Sequence, residues 1–237
     1  MFYLNIKQYN YHIVFLLTAC FSLNVPAKPS AVPVSYDDPW ERVNRSIFSF
    51  NETIDTYILK PIAKGYNVVT PKPVRGLVTN FFKNLGEIRN TLNGAIQLKF
   101  SAASVSFSRF AINSTVGILG LIDVASPLGF ERKYADFGLT LAQWGAPSGA
   151  YIVIPFLGPG NVRSGVGFVS DIYISPLTYI DPERDAWMAL GIKTINVRSN
   201  LLAAEDLIMG DRYTFIRDAY LQRQEYLILG HRPVDDF

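Results

Sequence analysis

The stretch that decides the fold is Asp38-Pro39-Trp40-Glu41-Arg42-Val43-Asn44-Arg45-Ser46-Ile47-Phe48-Ser49-Phe50-Asn51. Asp38 is a favourable N-cap, Pro39 suits the first helical position, and Glu41 completes a capping box. Apolar side chains then recur at steps of three and four residues, which places six of them on one helix face: Trp40, Val43, Ile47, Phe50, Ile54 and Tyr57. The pattern predicts an amphipathic helix that ends or kinks at Pro61.

Similar apolar spacing continues along the chain. A second helix is predicted to start at Thr70-Pro71 and to end at Gly86, and further helices are predicted over residues 87–98, 101–115, 186–208 and 212–229. Residues 138–167 contain seven glycines and three prolines, with a short strand predicted at Tyr151–Ile154. The expected fold is mainly α: a single compact domain of amphipathic helices with an irregular segment rich in glycine and proline.

Composition limits the possible surroundings of the protein. Hydrophobic residues make up 49% of the chain and charged residues only 18%, against about 25% charged in an average soluble domain. This shortage of charge suggests that part of the surface does not face water. The net charge of +2 produces no global field that would attract nucleic acid, so none is expected as a partner.

Basic residues are concentrated between Lys60 and Phe110. Eight lysines and arginines occur there with one acid, Glu87. Basic amphipathic helices suit anionic lipid, at roughly 1 kcal/mol per residue close to the surface. The alternatives are a solvated helix face that happens to be basic and RNA binding, although an exported protein rarely meets nucleic acid.

The N-terminus has the features of an export signal. The apolar run Ile13–Leu17 is too short to span a bilayer, and residues 1–19 suit a signal peptide. Leu17-Thr18-Ala19-Cys20 is similar to a bacterial lipobox, which predicts cleavage before Cys20 and acylation of its thiol. Ordinary secretion with cleavage after Ala27 is the alternative. Residues 20–36, with three prolines, are predicted to be a flexible tether.

Few residues suit catalysis. Of two histidines, His12 lies in the signal peptide and only His231 remains in the mature chain. One histidine and one cysteine cannot build a transition-metal cluster. The chain has no GxSxG motif, and Val166 stands where a Walker A motif needs lysine. We therefore expect no enzyme activity, no metal and no cofactor.

The chain resembles the VacJ/MlaA outer-membrane lipoproteins over roughly residues 37–230, leaving 231–237 as a tail. The matching segments are Asp38-Pro39-Trp40-Glu41-Arg42, Asn44-Arg45, Phe48-Ser49-Phe50-Asn51, Lys60-Pro61-Ile62-Ala63-Lys64-Gly65-Tyr66, Pro71-Lys72-Pro73-Val74-Arg75, Asn80-Phe81-Phe82-Lys83-Asn84-Leu85-Gly86-Glu87, Arg109-Phe110-Ala111-Ile112-Asn113-Ser114-Thr115, Asp136-Phe137-Gly138, Trp144-Gly145, Gly149-Ala150-Tyr151, Pro155-Phe156-Leu157-Gly158-Pro159 and Arg217-Asp218-Ala219-Tyr220-Leu221-Gln222-Arg223. Two departures are Ile88, where the family often has proline, and Gly160, where a small hydroxyl residue is common.

The resemblance implies a ring-like helical body in the inner leaflet of the outer membrane, anchored by lipid on the periplasmic side. An amphipathic channel would carry phospholipid that has strayed into the outer leaflet to a soluble periplasmic carrier, which maintains lipid asymmetry. Trimeric porins would be partners, and no cofactor is implied. Two alternatives stay open: a porin-associated scaffold lipoprotein without transport activity, and a phospholipase.

Two sets of residues are candidates for handling lipid. The channel or gate candidates are Asn44, Phe48, Phe50, Asn51, Gly138, Trp144, Gly145, Gly149 and Tyr151. Core packing and a tightly packed structural loop are the alternatives for them. Arginines suited to a phosphate group are Arg45, Arg109, Arg163 and Arg217. Each could instead pair with Asp123, Asp136 or Asp171.

Overall fold

The computed structural model describes residues 38–229, apart from the side chains of residues 206 and 207. The predicted signal peptide (1–19), Cys20 with its tether to residue 36, and the tail (231–237) lie outside the described residues.

The first helical rod contains two α-helices joined by a wider turn. Helix α1 is Glu41–Ile54, a π-helical turn spans Asp55–Leu59, and α2 is Lys60–Val69. The predicted interruption near Pro61 is therefore present, but the helix resumes because Pro61, which lacks an N–H, falls in the first turn of α2.

The predicted capping box is wrong. Trp40, not Asp38, is the N-cap residue of α1, and no side chain caps the helix. The Oδ1 atom of Asp38 instead accepts hydrogen bonds from the backbone N–H of Trp40 and from Asn44 Nδ2, at 3.2 and 2.9 Å. The Asp38 carboxylate, which the local pattern assigned to the helix cap, is therefore used in a contact with the side chain of Asn44.

Helices α3 (Lys72–Ile96) and α4 (Phe100–Thr115) form an antiparallel pair. Gly86 does not end a helix as predicted but lies inside α3, where a Cβ atom would be 3.0 Å from Nη2 of Arg132. Close to the loop that joins the two helices, a Cβ atom on Gly94 would be 3.2 Å from the Ala103 backbone. Both glycines allow close approach, which a sequence pattern cannot distinguish from a helix end.

The glycine-rich region is more regular than expected. It contains α5 (Phe137–Gln143), the start of α6 (Val162–Ile174), and an antiparallel hairpin of β1 (Tyr151–Ile154) and β2 (Gly158–Asn161). The strand predicted at Tyr151–Ile154 is confirmed, whereas its partner and the two helices were not predicted. Asn161 and Ser164 form a reciprocal capping box at the start of α6, which explains why a helix follows the glycines.

Two further helices complete the described chain. Helix α7 is Glu183–Leu201, extended by a 3₁₀ segment at Leu202–Leu207, and α8 is Arg212–Leu229. Both were predicted within a few residues. The mainly helical single domain expected from the sequence is therefore confirmed. Within residues 38–229, no helix combines the length and apolar character needed to cross a bilayer.

Candidate functional site

Polarity is inverted between the interior and the surface. The largest side chains less than 2% exposed are one tyrosine and six polar residues: Tyr213, Glu87, Asn90, Asn93, Asn196, Thr140 and Ser106. Large apolar side chains lie outside, with Val68 86%, Phe156 75% and Leu98 74% exposed. A protein surrounded by water buries such side chains and rarely exposes large apolar patches. The outer surface is therefore suited to acyl chains.

The polar interior is organised along one face of α3. Asn84, Glu87, Asn90 and Asn93 are spaced by three residues and are all buried, and we call them the α3 polar stripe. Its members bond to different parts of the fold: Asn84 donates to Ser114 of α4, Asn90 accepts from the N–H of Ala135, and Asn93 donates to Asp171 of α6. The stripe joins four regions of chain through polar contacts instead of aliphatic packing.

Glu87 is the charged centre of the stripe. Its carboxylate, 1% exposed, lies 3.1 Å from Nε of Arg109 and 3.0 Å from Nε of Arg132, and it also accepts from Asn90 at 2.8 Å. Nη1 of Arg109 donates to Ser126 and to the Phe130 carbonyl, and its Nη2 donates to Asp123. Because all three guanidinium nitrogens of Arg109 have protein acceptors, the structure favours its ion-pair role over phosphate contact.

Asp123 titrates abnormally in this cluster. Burial alone would raise the pKa of its carboxyl group, but hydrogen bonds from Ser126, Asn113 and Arg109 outweigh burial and lower it to about 2. On the other side of the stripe, Asp171 has a raised pKa, mainly because it is buried. The Asp123 carboxyl group is therefore ionised at neutral pH, whereas burial disfavours the charge of Asp171.

A second arrangement joins α1 to the hairpin, and we call it the α1–hairpin junction. Asn44 donates to the carbonyl of Tyr151 and accepts from the N–H of Val153, at 3.0 and 2.9 Å. Asn51 repeats this with the carbonyl of Ile154 and the N–H of Phe156, at 3.1 and 2.8 Å. Asn44 and Asn51 are seven residues apart on the helix, which corresponds to a rise of about 10.5 Å. Their backbone partners are three residues apart in extended chain, which spans roughly 10 Å, so the two spacings match. The two amides thus satisfy the free edge of β1 in place of another strand.

Aromatic side chains fill the same junction. Phe48 meets Tyr213 edge-on, with ring centroids 5.5 Å apart, and Tyr151 stacks at an angle against Tyr213 and Tyr220. Phe50 contacts Phe156, at the exposed tip of the hairpin, at 5.4 Å. Five of the gate candidates therefore come together: Asn44, Phe48, Phe50, Asn51 and Tyr151. The first four were chosen from one helix, and only the fold brings Tyr151 to them.

The other gate candidates lie before the hairpin, on α5 and the loop that follows it. Gly138 lets α5 approach α6, because a Cβ atom there would be 3.1 Å from the Ser164 Cα atom. The ring of Trp144 packs edge-on against Phe137 at 5.9 Å. Gly145 and Gly149 have positive φ angles of 85° and 67°, which L side chains rarely adopt. A bulky side chain at either glycine strains the backbone, so it does not test gating by itself.

The remaining arginine candidates have different surroundings. Arg45 pairs with Glu41 and Asp211, at 2.7 and 2.6 Å, and Arg217 pairs with its neighbour Asp218 at 2.9 Å. Arg163 makes no ion pair with a described residue; its Nη1 donates to the Ala146 carbonyl, and burial lowers its pKa. None of the carboxylates proposed as partners from the sequence pairs with these three arginines.

A cavity of about 690 Å³ opens where α2, α3 and the end of α7 meet. Its lining includes the polar side chains of Asn67, Arg75, Thr79 and Asn200 and the cation Lys72. Hydrogen bonds hold the walls together, since Asn67 donates to the Ser199 carbonyl and both Asn196 and Asn200 donate to Oγ1 of Thr79. No pattern in the sequence marks this cavity. Its two lining cations, Lys72 and Arg75, stand out in the sequence only as part of the basic run between Lys60 and Phe110.

The α3 polar stripe was also missed, although it left a signal in the sequence. Asparagine or glutamate recurs at every third position from Asn84 to Asn93. That pattern normally indicates a solvated helix face. Here it marks the interior, because the apolar faces turn outward.

Known proteins are similar to this chain. A model of the MlaA lipoprotein family matches residues 36–227. The chain belongs to the MlaA lipoprotein family. Matching by the family model therefore covers essentially all of the described helices and the hairpin.

Individual members of the MlaA family show the extent of the likeness. The Escherichia coli intermembrane phospholipid transport system lipoprotein MlaA is 31% identical over 201 residues, covering 81% of this chain and 79% of its own length. The Haemophilus influenzae protein of that name is 32% identical, covering 92% and 88%. An uncharacterised protein of Rickettsia prowazekii is 36% identical, covering 79% and 76%.

A solved structure has the same fold. It comes from work on the structural basis for maintenance of bacterial outer membrane lipid asymmetry, and it superposes with a TM-score of 0.70 at 30% identity. The match covers 81% of this chain and 99% of that one. The inverted polarity described above is therefore found in a chain with the backbone fold of the MlaA family.

Proposed function

We propose that this chain is an outer-membrane lipoprotein that removes mislocalised phospholipid from the outer leaflet and passes it to a periplasmic carrier, which maintains lipid asymmetry. The observation that carries the proposal is the inversion of polarity, with buried amides and carboxylates inside and large apolar side chains outside. Such a body gains free energy from contact with acyl chains. It also offers hydrogen-bonding groups that lower the cost of moving a head group through an apolar layer.

The surroundings proposed for this body follow from its surface. Its apolar helices would lie in the inner leaflet of the outer membrane as a ring around an amphipathic channel, held by an acyl group on Cys20. Cations without an ion pair to a described residue, such as Lys64, Lys72 and Lys83, suit anionic head groups. A porin trimer and a soluble periplasmic lipid carrier are the proposed partners. We propose no enzymatic step.

Cells that lack the gene test the function. Phospholipid should accumulate in the outer leaflet, where an added phospholipase can reach it, and the cells should become sensitive to detergent with chelator. The full-length chain should reverse both effects. Intact asymmetry in the deletion cells would instead favour a scaffold that only docks on a porin. Phospholipid cleavage by the purified chain, abolished by one substitution, would favour a phospholipase.

The inversion of polarity between interior and surface can also be tested in vitro. The mature chain with Cys20 replaced by serine, and so without acyl groups, should float with anionic vesicles and should need detergent to stay monodisperse. A chain that is monomeric in buffer without detergent and does not bind the vesicles would contradict the proposal. The intact mass of the mature N-terminus decides whether Cys20 is acylated or whether cleavage follows Ala27.

A further inference from the structure

The cavity between α2, α3 and α7 differs from the rest of the polar interior in its unpaired positive charge. Lys72 and Arg75 line it, and neither forms an ion pair with a described residue. Among the described residues around the cavity, none is acidic. A cation that faces a space of about 690 Å³ with no counter-ion favours an anion in that space.

Arg75 is also incompletely hydrogen-bonded. Its Nη1 donates to Oδ1 of Asn67, whereas its Nε is buried and has no partner. Leaving a buried donor of a charged group unpaired is costly, and such atoms normally find an acceptor. The fork geometry of guanidinium matches two oxygens of a phosphate group. The first turn of α3, which holds Lys72 and Arg75, contains no acid and no side-chain cap, so the helix terminus adds positive potential.

The surroundings of the cavity favour a lipid. Val68 and Val69 follow Asn67 in the chain and are 86% and 77% exposed, and Leu201, next to Asn200, is 54% exposed. The lining of the cavity itself also includes Leu202 and Ala203, so polar and apolar side chains meet there. The cavity volume lies within the range of about 300–1,000 Å³ found for small-molecule sites. An occupant with a phosphate group and an apolar part satisfies both surfaces.

We propose that this cavity binds the phosphate group of a phospholipid, with Arg75 and Lys72 as the recognising cations and Asn67, Thr79 and Asn200 as the polar wall. The proposal rests on the proposed function and names the site at which that function recognises its substrate. Free phosphate shares the recognised chemistry, so the experiment has to separate the two sources.

The binding experiment uses the full-length chain in detergent and a short-chain phosphatidylglycerol as the probe. Arg75→Gln and Lys72→Gln should each weaken binding about tenfold, which is the loss expected for a hydrogen bond to a charged group. Lys64→Gln is the matched control, because Lys64 is an exposed cation on α2 outside the cavity. Diacylglycerol with the same acyl chains lacks phosphate, and its binding should not respond to any of these changes.

A second pair of variants leaves the charges in place. Gly76 lines the cavity, and a Cβ atom there would meet no other atom within 4 Å, so Gly76→Leu should fill space without a clash and abolish binding. Gly65 on α2 is equally open but does not line the cavity, so Gly65→Leu should bind like wild type. Equal affinity in Arg75→Gln, Gly76→Leu and their controls would overturn the site, as would a wild-type chain that binds neither probe lipid nor inorganic phosphate.

Competition and complementation complete the test. Inorganic phosphate that displaces the probe would support a phosphate site open to soluble anions; failure to displace it, with the tenfold losses above, would assign the site to the lipid head group. In cells lacking the gene, wild type should restore lipid asymmetry and Arg75→Gln should not. If both restore it, the site is wrong and the function stands. If the wild-type chain does not restore lipid asymmetry, the proposed function is wrong, and the binding measurements still decide whether the cavity is a phosphate site.

Discussion

Arg109 on α4 and Arg75 on α3 occupy opposite kinds of polar surroundings. Arg109 is 3% exposed, and its three nitrogens are bonded to Glu87, Asp123, Ser126 and the Phe130 carbonyl. Arg75 faces a cavity without an acid and keeps its Nε unpaired. The ion pairs of Glu87, Arg109, Asp123 and Arg132, which we call the Glu87 cluster, thus balance their charges within the chain, whereas no acidic residue lines the cavity. The comparison shows that two arginines of one polar interior can differ in whether acidic side chains meet their charge.

Arg109→Met should have the largest effect on stability. It leaves Glu87 with one cation, Arg132, and removes the cation from Asp123, and breaking a buried ion pair costs about 3–5 kcal/mol. Denaturant unfolding in detergent measures the loss. Lys64→Met removes an exposed cation and should change stability by less than about 0.5 kcal/mol. Equal stability of the two variants would show that the Glu87 cluster does not hold the fold together.

Asn44→Leu should come next. The substitution leaves the Tyr151 carbonyl and the Val153 N–H without partners at a position that is 2% exposed, which costs about 2–3 kcal/mol. Asn51→Leu makes the same change where the side chain is only half-buried, so water can replace the amide and the loss should be smaller. Hydrogen exchange at Val153 should rise in the first variant. If Asn51→Leu proves the more damaging, the junction depends on the hairpin tip instead.

Acid should weaken the Glu87 cluster through Asp123. Its pKa is about 2 in the folded chain against an ordinary value of 3.8, so the carboxylate contributes stability that is complete above pH 3.8 and is lost as the pH falls through 2. Asp123→Asn removes this contribution. Unfolding free energies of wild type and variant should therefore differ most at pH 5 and converge toward pH 2. A constant difference would mean that Asp123 acts without its charge.

Arg75→Gln should have the smallest effect on stability. The guanidinium has no carboxylate partner, and its loss removes one hydrogen bond to Asn67, so we expect less than about 1 kcal/mol. The same denaturant experiment gives the value. A loss as large as that of Arg109→Met would place Arg75 among the structural arginines and would remove the contrast between the two sites.

Local patterns were enough for several elements. Apolar spacing located α4, α7 and α8 to within a few residues, and β-branched residues marked β1. The errors occurred where a contact from elsewhere overrode a local signal. Asp38 bonds to Asn44 and accepts from the hydroxyl of Tyr213 on α8 instead of capping α1, and Gly86 makes room for Arg132 instead of ending α3.

The candidate residues were predictable only in part. Asn44 and Asn51 stand two helical turns apart, but nothing in the sequence shows that a strand edge lies beside them. Arg109 and Arg75 look equivalent in the sequence, and both lie in matched family segments. Asp123, which pairs with Arg109, comes 14 positions later in the chain, after the end of α4 and a turn.

The sequence by itself determined the low charge and most of the helices, because these depend on composition and spacing. Tertiary structure alone decided that amides and carboxylates lie inside, which residues line the cavity, and that Arg75 has no acidic partner. Helical periodicity shows that the two faces of a helix differ in polarity, but it does not show which face is covered by the rest of the protein. That choice depends on partners far away in the chain and on whether water or lipid lies outside.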